Sequence, residues 1–154
     1  IDGSEKNIDS FIFKDDDGTY YLYHVRFNHG NYLWVAEFDV EKGIVKSETL
    51  KQCLDYTEKW EKTDNNLWDP IMEGPTVIKM DGMYYMFYSA NHFLNKDYAV
   101  GYAKGIRLFI VILWGKMVQG TVTFLSVWMA SLITFIMSII LIQKLHRVEL
   151  VSSH

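Results

Sequence analysis

Ile8-Asp9-Ser10-Phe11-Ile12-Phe13-Lys14-Asp15-Asp16-Asp17-Gly18-Thr19-Tyr20-Tyr21-Leu22-Tyr23 reads as two short aromatic-rich runs joined by an Asp-Gly turn. The pattern returns as Glu73-Gly74-Pro75-Thr76-Val77-Ile78-Lys79-Met80-Asp81-Gly82-Met83-Tyr84-Tyr85-Met86-Phe87-Tyr88. Asp-Gly between apolar, alternating runs is a strong hairpin signal. In each copy an acid stands eight residues before the turn, Asp9 before Asp17 and Glu73 before Asp81. Equivalent positions of a repeated unit tend to face a common axis, so the two carboxylates have a physical reason to share one cavity. The offset between copies is 64 residues by the Asp-Gly turns and 65 by Lys14 and Lys79. That difference matters, because a one-residue slip sends a strand side chain to the other face. By the longer offset Asp9 matches Gly74.

The rest of each unit follows from the same signals. Asn31 to Asp39 is a third strand, and Val40 to Val45 adds a turn and a short outer strand. Tyr98 to Ala103 is the corresponding strand of the second copy, while Asn65 to Met72 carries little strand signal and reads as the loop between units. Repeated four-stranded antiparallel units point to an all-β fold of propeller type, here about two blades. A β-sandwich with two similar hairpins satisfies the same pattern.

Aromatic residues make up 16% of the chain, which suits both half-buried β surfaces and a sugar-binding cleft. The formal net charge is -4, and the first hundred residues hold no Lys/Arg cluster, so nucleic acid is not an expected partner. Cys53 is the single cysteine, which excludes an internal disulfide and a cysteine metal cluster. Asp15, Asp16 and Asp17 lack the spacing of an EF-hand loop and read as a solvated turn. His24, His29 and His92 form no metal-spaced set; His24 reads as following a strand and His29 as lying in a turn. No metal and no cofactor is called for.

Glu73-Gly74-Pro75 is the sharpest local feature, an acid at a strand entrance where Pro is tolerated and Gly lets a ligand approach closely. A general acid needs a carboxyl whose pKa is raised by burial or by a neighbouring negative charge, and Asp9 supplies that charge if it shares the cavity. Trp60, Trp68 and Phe93 are candidates to stack on sugar rings, with core or loop packing an equal reading for each.

These residues resemble glycoside hydrolase family 43. Ile8 to Tyr23 is similar to the family's second-blade motif, with Ser10 in place of its usual Pro. Glu73-Gly74-Pro75 through Tyr84 to Asn91 is similar to the third-blade motif, and Tyr98 to Ala103 to the strand after it. The resemblance implies a five-bladed β-propeller that hydrolyses arabinose- and xylose-containing glycans with inversion, a carbohydrate partner, Glu73 as general acid, and Asp9 as the acid that orients it and tunes its pKa. Of the aromatic candidates, Trp68 and Phe93 are the expected substrate contacts. The family's general base is an Asp of the first blade, and this chain opens after that blade, at Ile1, without a leader. The chain is therefore expected to be a fragment without glycosidase activity of its own.

The resemblance is read to end at Ala103, dividing the chain into residues 1–103, the propeller fragment, and residues 104–154, an apolar tail with a helical reading. The uncharged run from Val118 to Ile142 is long enough to cross a bilayer, which leaves a membrane partner open. A second reading is a frameshift. Trp128-Met129-Ala130 fixes the bases TGG ATG GCN, and skipping two bases yields Asp-Gly. Met117-Val118 forces a Gly in that frame, and the neighbouring codons permit Gly-His-Gly and a Tyr- and His-rich run like the family's later blades.

Overall fold

In the computed structural model, residues 6–106 and 113–119 are described, and they form two antiparallel β-sheets. The first sheet contains β1 (Asn7–Lys14), β2 (Tyr20–Phe27), β3 (Asn31–Asp39), β4 (Ile44–Val45) and β5 (Lys51–Leu54). The second contains β6 (Met72–Met80), β7 (Met83–Ala90), β8 (Ala99–Gly105) and β9 (Leu113–Gln119), in that spatial order. The described residues all lie in one compact unit, Ile1–Val122. Each sheet is an up-and-down meander, so the expected all-β, blade-like architecture holds.

In the first sheet the outermost strand is broken. β4 pairs with Phe38 and Asp39, a 3₁₀ turn at Ser47–Thr49 intervenes, and β5 pairs with Leu33 to Val35 further along the same edge of β3. The short outer strand at residues 44–45 was legible. β5 was not, because Lys51-Gln52-Cys53-Leu54 has neither alternation nor a β-branched residue. The connection to the second sheet is longer than the sequence reading, running from Asp55 to Ile71.

The register settles the alignment of the repeat. In the first hairpin Ile8 pairs with Val25 and Phe11 with Tyr23, and in the second Glu73 pairs with Ser89 and Thr76 with Phe87. Each entry strand thus carries one extra residue against its partner, a β-bulge at the same place in both copies. β1 and β6 are related by 65 residues, β2 and β7 by 64. The odd residue sits in the first hairpin turn: Lys14 pairs with Tyr20, whereas Met80 pairs with Met83 across two residues. Asp81 and Gly82 have φ of 51° and 75°, the type I′ turn that matches strand twist. Structurally, then, Asp9 is the counterpart of Gly74, and Glu73 is the counterpart of Ile8. The equal spacing of the two acids from their turns does not make them repeat-equivalent.

One hydrophobic core joins the sheets. Tyr23, Val25, Leu33 and Val35 meet Met72, Val77, Met86, Tyr88 and Ala90, all buried. β2 is buried on both faces from Leu22 to Arg26, including His24 at 0% exposure, so His24 lies inside a strand and not after one. β7 and β8 bury alternate residues, as expected of strands with one covered face. At the turn end, the Asp15 carboxylate accepts bonds from Lys79 Nζ at 2.6 Å and from the Tyr84 hydroxyl at 2.6 Å, and Asp16 lies 2.9 Å from the same ammonium. The Asp run of the first turn is therefore more than a solvated loop. It ties one sheet to the other.

β8 continues past Ala103 to Gly105, and β9 pairs with it from Lys104 to Ala99. A β-ladder uses main-chain groups alone, so a fourth strand forms where the side-chain pattern had stopped resembling a blade. The apolar run from Val118 to Ile142, beyond Gln119, lies outside the described residues, as do its helical, membrane and frameshift readings. Among the described residues no helix is long and apolar enough to cross a membrane.

Candidate active site

The entrances of β1 and β6, the β2–β3 turn and the β7–β8 connection gather at one end of the two sheets. Glu73 is the second residue of β6, immediately before the bulge. Gly74 takes φ 62° there, in the left-handed region. Asp9 holds the equivalent position in β1 with φ 53°, unusual for a residue with a Cβ. Its Oδ2 accepts the Gly74 N–H at 3.1 Å. One bulge thus reaches across to cap the other, and this brings the Asp9 carboxylate next to Glu73.

Glu73 is half-buried, and loss of solvent pushes its carboxyl above the ordinary range. The Asp9 negative charge pushes it further, and a hydrogen bond from Asn31 pulls part of the rise back. Asn31 Nδ2 donates to Glu73 Oε1 at 3.3 Å. Asn31 is itself fixed by its own N–H, which donates to the Pro70 carbonyl at 2.8 Å, and by a parallel bridge to Ile71. Tyr98, buried at the start of β8, feels both acids. Burial raises its phenol, a hydrogen bond with Ser89 lowers it, and the charges of Glu73 and Asp9 raise it again.

Glu73 opens onto a cavity of about 640 Å³. Asn28, His29 and Gly30 of the β2–β3 turn form one wall, and Trp68, His92 and Phe93 form another. The three rings stack in series. Trp68 lies on His92 with centroids 5.4 Å apart and planes at 19°, and His92 lies on Phe93 at 4.7 Å and 22°. Trp68 and Phe93 remain 63% and 49% exposed, enough for a ligand to reach them. Gly30 is required where the turn meets the connection: a Cβ there would stand 2.8 Å from the Pro70 carbonyl oxygen, and its φ is 128°.

Asp9, Glu73, Trp68 and Phe93 thus gather at one end, although Asp9 contacts the β6 bulge and does not line the cavity wall. Trp60 does not join them. It packs on Tyr88, with centroids 5.6 Å apart, at the edge of the core. Three site residues escaped sequence reasoning: Asn31, Tyr98 and His92. Asn31 opens β3 and Tyr98 immediately precedes β8, and only the tertiary structure shows what they face. His92 was weighed only as a metal ligand, and its neighbour Phe93 was the available hint. Among the described residues no group of three His, Cys, Asp or Glu is placed to hold a metal ion.

A half-buried Glu beside an Asp thus stands on the wall of a ring-lined cavity at one end of two blade-like sheets. The sequence model of glycosyl hydrolases family 43 matches residues 1–114, and the chain belongs to that family. The match runs past Ala103 into β9. Among solved structures, the chain is similar to an endo-1,4-beta-xylanase from Bacteroides thetaiotaomicron VPI-5482, with 46% identity, a TM-score of 0.62, and coverage of 74% of this chain and 37% of that one. It is similar to a thermostable family-43 glycoside hydrolase at 31% identity and TM-score 0.61, covering 76% of this chain and 38% of that one. An alpha-L-arabinofuranosidase from Lactobacillus brevis, at 18% identity and TM-score 0.55 over 73% of this chain and 34% of that one, shares the fold. No curated protein sequence matches the chain. The chain spans less than two-fifths of the length of the first two structures.

Proposed function

We propose that this chain carries the proton-donating half of an inverting glycoside hydrolase site acting on arabinose- or xylose-containing glycans. The observation that carries it is the Glu73 carboxyl, raised by burial and by Asp9 while it faces a cavity edged with aromatic rings. A carboxyl held above its ordinary range keeps its proton closer to neutral pH, as a general acid must. Glu73 would protonate the oxygen of the departing sugar. Asp9 would hold the Gly74 amide and supply the charge that keeps the proton on Glu73, and Asn31 would aim the carboxyl. Trp68 and Phe93 would support sugar rings. A β-1,4-xylan chain is the favoured substrate, because the 46%-identical structure bears the name of an endo-1,4-beta-xylanase.

Inversion also needs a carboxylate base about 6.5–9.5 Å from the acid to activate water. By the family resemblance that base is an Asp of the first blade. Sugar binding is assigned to this cavity, and turnover to a chain extended to carry that base. In such an extended chain, Glu73→Gln should lose at least a hundredfold in kcat on an aryl xyloside while binding xylo-oligosaccharide as before. Retained turnover would remove Glu73 from the acid's role. Loss of binding together with turnover would point to a structural role instead.

A further inference from the structure

The cavity wall that carries the ring stack comes from two segments that are not part of any sheet. Trp68 belongs to the connection between sheets, and His92 and Phe93 to the turn between β7 and β8. Such segments hold a precise shape only if their main-chain groups are satisfied. Lys62 and Asn66 satisfy the carbonyl and N–H of Trp68 within the connection, and one buried side chain joins the connection to the turn. Asn91 is 0% exposed, with φ 72°. Its Oδ1 accepts the Thr63 N–H at 2.9 Å, and its Nδ2 donates to the Trp60 carbonyl at 2.6 Å and to the Asp97 carbonyl at 3.1 Å. Its own N–H donates to the Ile71 carbonyl at 3.1 Å. Two carbonyls on one side and an N–H on the other fix the orientation of the amide. Thr63 closes the ring of contacts by donating its hydroxyl to Asp97 at 2.7 Å.

Asn91 therefore touches the connection on both sides of Trp68, at residues 60 and 63 before it and at residue 71 after it. It also touches the far end of the turn that begins with His92. Nothing else among the described residues bonds to both segments at as many points. We propose that Asn91 is a positioning residue for substrate: it locks the two segments so that Trp68, His92 and Phe93 stand as one pre-formed surface for xylose units. The inference rests on the reading of this cavity as a sugar site. Asn91 touches neither Glu73 nor the cavity. Its effect belongs in affinity, because rigidity in the free protein removes an ordering cost from binding.

The test compares the 154-residue chain with Asn91→Gly and Asn91→Asp, using xylotetraose as probe in titration calorimetry and hydrogen exchange as the structural readout. Gly accepts φ 72° without strain and removes every side-chain bond. Asp keeps the acceptor for Thr63 and loses both donors. Asn91→Gly should weaken xylotetraose binding about tenfold or more, with Asn91→Asp between it and the unaltered chain. Amide exchange should quicken only in residues 57–71 and 91–98, with β2 and β7 unchanged. Equal affinity in all three proteins would overturn the inference while leaving the sugar site in place. Faster exchange throughout both sheets, or failure of both variants to fold, would make Asn91 a core residue and overturn it as well. No binding by the unaltered chain would remove the sugar-site reading and this inference together.

Discussion

Replacing Asp9 separates what its charge does from what its backbone does. At φ 53° a residue with a Cβ sits in the left-handed region, which costs about 1–2 kcal/mol for an ordinary L-residue. Asp and Asn bear less of that cost because their short polar side chains bond locally. The Asp9 carboxylate also accepts the Gly74 amide at 3.1 Å, a contact worth about 1 kcal/mol at this exposed position. Asp9→Ala incurs the full backbone cost and loses the contact, so it should destabilise the fold by roughly 2 kcal/mol. Asp9→Asn keeps a neutral acceptor and a backbone-tolerant side chain, so its change should stay within about 0.5 kcal/mol. Urea unfolding at pH 7 measures both. In the same Asp9→Asn protein the Glu73 carboxyl, followed by carboxyl-carbon NMR, should titrate at lower pH, because the negative neighbour that raises it is gone. Ala and Asn variants of equal stability would refute the bulge-capping role. An unmoved Glu73 titration would refute the electrostatic pairing on which the proton-donor assignment depends.

Other consequences follow from particular contacts. Burial raises the Asp15 carboxyl, but its hydrogen bonds with Lys79 and Tyr84 outweigh that and hold it below its ordinary value of 3.8. The link between sheets therefore stabilises the fold in full above that value and fades as pH falls through the lowered one. Lys79→Met should be less stable than the unaltered chain at pH 7, with the gap closing as urea titrations are taken down through the lowered Asp15 value; a gap independent of pH would contradict this. Gly30→Ala forces a Cβ to within 2.8 Å of the Pro70 carbonyl oxygen at φ 128°, so the β2–β3 turn must pull away from the connection. Thermal unfolding should show a loss of about 2 kcal/mol or more, with weaker xylotetraose binding.

The repeat, the hairpins and the family are legible in the order of residues. Those signals are local: Asp-Gly turns, alternating Tyr, Phe and Leu, and an acid at each strand entrance act through residues a few positions apart. That order also singled out Asp9, Glu73, Trp68 and Phe93. It left two offsets open for the acids, because spacing from a turn does not reveal where an extra residue is absorbed. Main-chain pairing placed that residue in the first turn and made Asp9 the partner of Gly74. Only the three-dimensional arrangement shows that Asn31 bonds Glu73, that Trp60 packs at the core, that β5 and β9 extend the sheets, and that Asn91 bonds both loop segments. Each of those outcomes joins residues distant in sequence through main-chain groups or buried polar atoms. Such groups look alike in every residue until the fold assigns them partners.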